Sequence, residues 1–227
     1  DGASPELSRN ALITSNTIYL PENTAGKLPI FAEGVGKLTI DSTATEITDS
    51  GNTHQKIQYL TLPADSSSVK VYDTADVTLL QTITVNNVCE PKFTPYKVTF
   101  TNKYGAFQDL YFFKKTTESF SVTDETFKRN TISNSTATYD KYAGQQERYN
   151  SNATKSISLN TGFMNEDSNS TIEELFLSEN VWIRYDNDTL PIIPKSKSLT
   201  LKTSLNDKLS NYTVDFEFAF NKINNVR

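Results

Sequence analysis

Near the C-terminal end of the chain, Tyr212, Val214, Phe216, Phe218 and Phe220 occupy every second position, with Thr213, Asp215 and Glu217 between them. Strand side chains alternate faces with period two, so the run makes one aromatic face and one wet face, and no helix places all five on one side. Burying each large apolar side chain stabilises by roughly 1.5–3 kcal/mol before conformational entropy is counted, so such a face demands a covering surface. The stretch reads as a core strand of a β-domain, with Phe216 and Phe218 in the core, rather than as an exposed binding strip.

The rest of the chain supports the same class. Tyr (11) and Phe (13) supply the bulk that strands favour, and Met occurs once. At 227 residues the chain accommodates two cores. After a polar stretch over 1–16, read as an N-terminal arm, short candidate strands fall at Thr17–Leu20, Leu28–Phe31, Lys37–Asp41, Lys56–Leu62, Val69–Tyr72 and Val77–Val85, separated by Pro, Gly, Asn and Asp turns. This spacing predicts a small Ig-like sandwich over 17–90. The two prolines of Asn86–Pro95 mark a boundary, and Cys89 within it reads as a small, semi-buried residue.

A second sandwich-like domain is expected over 91–227. Its strands are Tyr96–Thr101, Gln108–Lys115, Ser119–Thr123, Lys155–Thr161, Val181–Tyr185, Leu190–Ile193, Ser198–Thr203 and the closing aromatic strand. In Gln108–Lys115 the consecutive Leu110, Tyr111, Phe112 and Phe113 make both faces apolar, which predicts cover from the domain on one side and from a second subunit, through Tyr111 and Phe113, on the other. One short helix, with Ile172, Leu175 and Phe176 at helical spacing, is expected to begin in a capping box of Ser170 or Thr171 with Glu173 or Glu174, and to pack on the sheet. Trp182, out of phase with Val181 and Ile183, is expected as core beneath that helix. Residues 124–154 are polar and far longer than an ordinary connection; they read as a solvated loop or as a projecting arm whose Tyr139, Tyr142 and Tyr149 dock on a neighbour.

Chemistry is sparsely signalled. His54 is the only histidine and sits in a polar turn, so no nucleophile triad is assembled around it. The stretch Asp167–Ser178 begins like a calcium loop but has Ile172 where glycine is required, and Asp186 with Asp188 reads as turn chemistry before a cation site. Catalytic, metal and cofactor residues are accordingly assigned to none. The net charge of -5 and the lack of a basic run interleaved with aromatics argue against direct nucleic-acid binding, and no segment approaches the apolar length of a membrane span. Five glycosylation sequons, at Asn134, Asn152, Asn169, Asn187 and Asn211, match the number that this Asn, Ser and Thr content gives by chance.

The succession TNKYGAFQDLYFFKKTTESFSV, SISLNTGF, IEELFLSENVWI, LPIIPKSKSLTLKTSLNDKL and NYTVDFEFAFNKINNVR, over Lys92–Arg227, resembles a family of virion structural proteins encoded by tailed phages of Bacteroidetes-type hosts. The resemblance implies a non-enzymatic building block of the tail, neck or baseplate, located in the virion and partnered by copies of itself and other virion proteins. It assigns no functional residue. The alternative is an extracellular receptor-binding or adhesion sandwich that reads host glycan, with Trp182 or the arm tyrosines as stacking platforms.

Overall fold

The computed structural model describes residues 11–47, 56–132, 135, 136, 138, 141, 142, 144–196 and 209–223. Its architecture is all-β, in three sheets with one short helix. In the N-terminal half, β1 (Thr17–Pro21), β2 (Gly26–Phe31), β3 (Val35–Ile40), β4 (Thr43–Glu46), β5 (Ile57–Leu62), β6 (Ser68–Asp73) and β7 (Leu79–Val88) form a five-stranded sheet, ordered β1-β7-β6-β3-β4, and the pair β2-β5. β1 runs parallel to β7, and the other ladders are antiparallel. The inward residues Leu28, Ile30, Leu38, Val71 and Ile83 are fully buried between these sheets. Tight turns place Asn23, Asp41, Asp65 and Asp76 in the left-handed region, which Asn and Asp tolerate. Asp41 fixes its turn by accepting from the Ser67 and Ser68 amides and the Ser67 hydroxyl, and the Ser67 hydroxyl above all holds its carboxyl below the usual range.

In the C-terminal half, β8 (Tyr96–Thr101), β9 (Phe107–Phe112), β10 (Thr117–Lys128), β11 (Gln146–Asn165), β12 (Val181–Tyr185), β13 (Asp188–Pro194) and β14 (Leu209–Ile223) make one antiparallel sheet, ordered β10-β11-β14-β13-β12-β8-β9. The sheet curls until its halves face each other. Phe112 of β9 and Phe216 of β14 lie four places apart in that order, about 19 Å in a flat sheet at ~4.8 Å per strand, yet their rings meet edge-on at 6.0 Å and 86°. Beyond β9 the Lys114 amide donates to the Asn160 carbonyl of β11 at 3.1 Å and closes the roll. The two layers expected of a second sandwich are thus the two halves of one sheet. Gly162, at φ +76, sits in the irregular stretch of β11 beside this closure; a Cβ there would add left-handed strain next to the Lys114 side chain.

A 3₁₀ turn over Glu166–Ser168 leads into α1 (Asn169–Leu177), whose Ile172 and Leu175 enter the core. The capping box is corrected: the helix starts earlier than the box requires, Ser168 stands at its N-cap without a side-chain bond, and Glu174 instead accepts from Thr14 Oγ1. The loose arm over 1–16 is also corrected where the chain is described. Ala11, Leu12, Ile13 and Ser15 are buried, because this segment laces the two halves together. Leu12 N–H donates to Pro29 O and Ala11 N–H to Gln81 Oε1 on one side; on the other, Leu12 O accepts from Asn102 Nδ2, and Asp167 Oδ2 accepts from Ser15 Oγ and Asn16 N. β9 packs beside β1 and β2, and the apolar residues of both halves form one continuous cluster.

That packing overturns one interface expectation. Tyr111 and Phe113 are 7% and 2% exposed and stack on each other at 6.3 Å, so the chain itself covers the second apolar face of β9 and leaves neither residue for another subunit. Burial, then the Asp109 charge, pushes the Tyr111 phenol up to about 12. Trp182 is likewise corrected. Val181 and Ile183 point into the core that the helix also enters, so period two turns Trp182 to the outer face, half-buried, where it meets Phe107 edge-on at 5.7 Å. Cys89 is exposed rather than semi-buried, and Glu22 beside it raises its thiol pKa. His54, Tyr139 and the strand expected at Ser198–Thr203 lie outside the described residues.

Phe216 is fully buried at the centre of the roll. Phe216→Ala is expected to cost about 3–5 kcal/mol in urea unfolding, or to leave the chain unfolded, whereas Phe216→Leu retains a folded protein with a smaller loss. A Phe216→Ala variant with an unchanged unfolding midpoint would contradict the closure described above.

Candidate functional site

Strand lengths are unequal in the rolled sheet. β11 and β14 span 20 and 15 residues, against 6, 6, 5 and 7 for β8, β9, β12 and β13. The short strands cover the inward face of the long ones only over part of their length. Beyond it β10 and β11 continue as a projecting hairpin, whose strands run to Lys128 and from Gln146. The expected arm over 124–154 therefore holds regular ladder at both ends, and β10 is exposed at every residue.

At the root of the hairpin the inward face opens as a groove of about 280 Å³, floored by Tyr185, Leu190, Phe218 and Phe220 and rimmed by Lys155, Lys222, Asp186 and Asp188. Phe218 is nearly buried, but Phe220, the last member of the aromatic alternation, is 60% exposed because the short strands end before reaching it. Across the β10–β11 ladder Phe120 faces Lys155 and Val122 faces Ala153, so the apolar strip continues outward along the hairpin. Phe120 and Val122 are both exposed.

One polar cluster holds the groove in shape. Lys155 Nζ lies 2.7 Å from Glu118 Oε2 and donates to Tyr185 Oη at 2.6 Å, and Tyr185 Oη donates to Glu118 Oε1 at 2.7 Å. The ammonium also stands 4.3 Å from the Tyr185 ring centre and 5.3 Å from that of Phe218, which adds cation–π attraction. Tyr185 stacks on Tyr96 at 6.1 Å and meets Phe218 edge-on at 5.3 Å. Partial burial by itself would raise the Glu118 pKa and lower that of Lys155, but their mutual hydrogen bonding and the Tyr185 hydroxyl outweigh it; Glu118 is carried below its ordinary range and Lys155 above. Charge is thereby fixed on Glu118 and Lys155, and the three side chains satisfy one another. What remains on offer is aromatic surface with a charged rim.

The other expected site residues are dispersed. Tyr142 is 90% exposed in the hairpin loop. Tyr149 lies on β11 with its ring 5.7 Å from Phe127, and a hydrogen bond to Glu125 raises its pKa. Half-buried Trp182 and exposed Phe107 form a separate pair on the outer face, next to a groove of about 280 Å³ lined by Lys27, Tyr59, Lys97, Thr99, Phe107 and Asp109. Asp186 and Asn187 make a two-residue turn with both residues at positive φ, and among the described residues no three metal-ligating side chains converge. Sequence reasoning missed Glu118, Lys155 and Tyr185, which are 37 and 30 residues apart in sequence and meet only through the sheet order; it also missed Phe120, Val122 and Phe127 as exposed arm residues, although the alternation of Ser119–Val122 was visible.

Comparisons with protein-family models, with curated proteins and with solved structures find no match for this chain.

The cluster generates a pH signature. Glu118 titrates below its ordinary 4.5 in the folded chain, so its stabilisation is whole above that value and fades as pH falls through the lower folded pKa. Lys155 titrates above its ordinary 10.5, so its stabilisation is whole below that value and fades as pH rises through the higher one. With both side chains partly exposed, Glu118→Gln is expected to lose about 1 kcal/mol. Urea unfolding of both proteins across pH should show a constant difference between about pH 5.5 and 9.5, shrinking below about pH 4.

Proposed function

We propose that this chain is a non-enzymatic structural subunit of a tailed-phage virion, from the tail, neck or baseplate region, and that it assembles with copies of itself into a symmetric oligomer through the projecting hairpin. The observation that carries the assembly reading is β10: twelve consecutive exposed residues, among them Phe120, Val122 and Phe127, on a strand that among the described residues is paired on one side only. Exposed aromatic side chains on a protruding element are anchors for a partner surface. The phage assignment rests on the sequence resemblance over Lys92–Arg227. The N-terminal half fits an Ig-like module: β1-β7-β6-β3-β4 opposite β2-β5 is the strand order of such sandwiches, with the first strand parallel to the last. On this reading the chain works in the virion, without direct contact to nucleic acid.

A second reading is favoured by the aromatic grooves. Phe220 and Tyr185 with Asp186 and Asp188, or Trp182 with Phe107, offer the flat apolar faces and carboxylate acceptors that a sugar ring uses, as a glycan-reading adhesin would.

Replacing 124–154 by a short glycine-serine turn is expected to leave a folded monomer that no longer joins the particle. Native mass spectrometry and incorporation into particles check this. Changing Tyr139, Tyr142 and Tyr149 together to Ser should reproduce part of the defect. Assembly of the shortened chain with normal stoichiometry would refute the arm reading, and binding of isolated protein to host cells, abolished by Phe220→Ala, would favour the adhesin.

A further inference from the structure

We infer that the exposed edge of β10 is a self-complementary docking strand, which pairs antiparallel with β10 of a second copy across a two-fold axis passing through Thr123. The inference rests on the assembly reading above and supplies its contact.

β10 ends the seven-stranded order, so the main-chain groups of its outer edge have no neighbouring strand in the described chain. Edge strands in soluble proteins are ordinarily short, or blocked by proline or by a bulge. β10 is 12 residues long and contains no proline. The ladder irregularity at Thr123/Glu125 puts the extra residue on β11, between Tyr149 and Asn152, with Asn150 at φ 47, so β10 itself keeps its alternation. Such an edge accepts a strand.

The occupant follows from charge. A two-fold axis normal to the sheet keeps equivalent faces on the same side, so the pairing must centre on a residue, and directly opposed side chains share a face. Centred on Thr123, Glu118 opposes the partner's Lys128 at both ends, Phe120 opposes the partner's Thr126, and Thr123 opposes itself. No like charges meet. Centred one residue later, Asp124 opposes itself; two later, Glu125 does; centred one residue earlier, neither Glu118 nor Lys128 meets an opposite charge. The Thr123 register alone among these joins full-length overlap to complementary ends. It engages residues 118–128 of each copy, about ten main-chain hydrogen bonds over roughly 35 Å, within the range of specific interfaces. Each Glu118 would then lie between its own Lys155 and the partner's Lys128, joining the groove cluster to the contact.

The test uses the full chain carrying Cys89→Ser, which removes the exposed native thiol. Thr123→Cys in that background is expected to form a disulfide-linked dimer on mild oxidation, since opposed residues lie within disulfide reach, while Ser119→Cys, whose counterpart is eight residues along, does not. In sedimentation, Lys128→Glu should raise the dimer Kd at least tenfold and Lys128→Arg should leave it unchanged. An oligomer that forms but does not cross-link at Thr123, cross-links equally at Ser119, or ignores Lys128→Glu overturns the β10 pairing and leaves the assembly reading standing. A chain that remains monomeric and never enters particles overturns both.

Discussion

The ring contact between Phe112 and Phe216 marks the constraint on which the C-terminal half depends. A seven-stranded antiparallel sheet with one aromatic face cannot leave that face in water, and with one short helix among the described residues the sheet covers itself by curling. The Lys114–Asn160 backbone bond, the left-handed Gly162 and the burial of Phe100, Phe112, Phe216 and Leu159 are consequences of that closure. Closure also limits what can be covered. Strands of five to seven residues roll over strands of 15 and 20, so the excess length emerges as the hairpin, and the uncovered inward face becomes the groove. The candidate site is the part of the core face that the roll cannot reach.

The two halves are not independent beads. Ala11, Leu12, Ile13 and Ser15 are buried where they meet, and two carboxamides, Gln81 from the sandwich and Asn102 from the β8–β9 turn, take the Ala11 amide and the Leu12 carbonyl. Each carboxamide is engaged at both ends. Gln81 accepts from Ala11 N–H and donates to Asn16 Oδ1; Asn102 donates to Leu12 O and Gln108 Oε1 and accepts from the Tyr104 and Ala106 amides. A buried polar group left unpaired costs about 1–3 kcal/mol, so these residues favour one relative placement of the halves over its alternatives.

Period-two alternation made most of the fold legible in the sequence. The six expected N-terminal strands and the cores of β8, β12, β13 and β14 fall where apolar residues alternate between turn residues. β4 was not legible because Thr43–Glu46 carries no large apolar side chain, and the outer parts of β10 and β11 were not because exposure on both faces removes any selection for alternation. Trp182 shows the limit of local reasoning: its phase was readable, but which face met the helix depended on the curl. Tyr111 and Phe113 show the same limit, since a strand with two apolar faces reveals that it is covered twice and not by what. Glu118, Lys155 and Tyr185 were illegible as a group because each is an ordinary strand residue, and only the order β10-β11-β14-β13-β12 brings them together around Phe218.

That cluster also sets how the arm is held. Glu118 belongs to β10, Lys155 to β11 and Tyr185 to β12, so one partly buried ion pair and one phenol tie the root of the hairpin to the rolled sheet. Farther out the cross-strand pairs are Arg148 with Asp124 and Arg129 with Glu147, both solvent-exposed and worth ~0–1 kcal/mol each. Between these regimes Asn150 bends β11 at positive φ. Holding therefore weakens from root to tip: the direction in which the arm leaves the body is set by partly buried contacts, and its outer half by ladder hydrogen bonds and solvent-exposed side-chain pairs. On the assembly proposed above, an element built this way would lose little orientational freedom when its root engaged a partner, while its tip could still adjust.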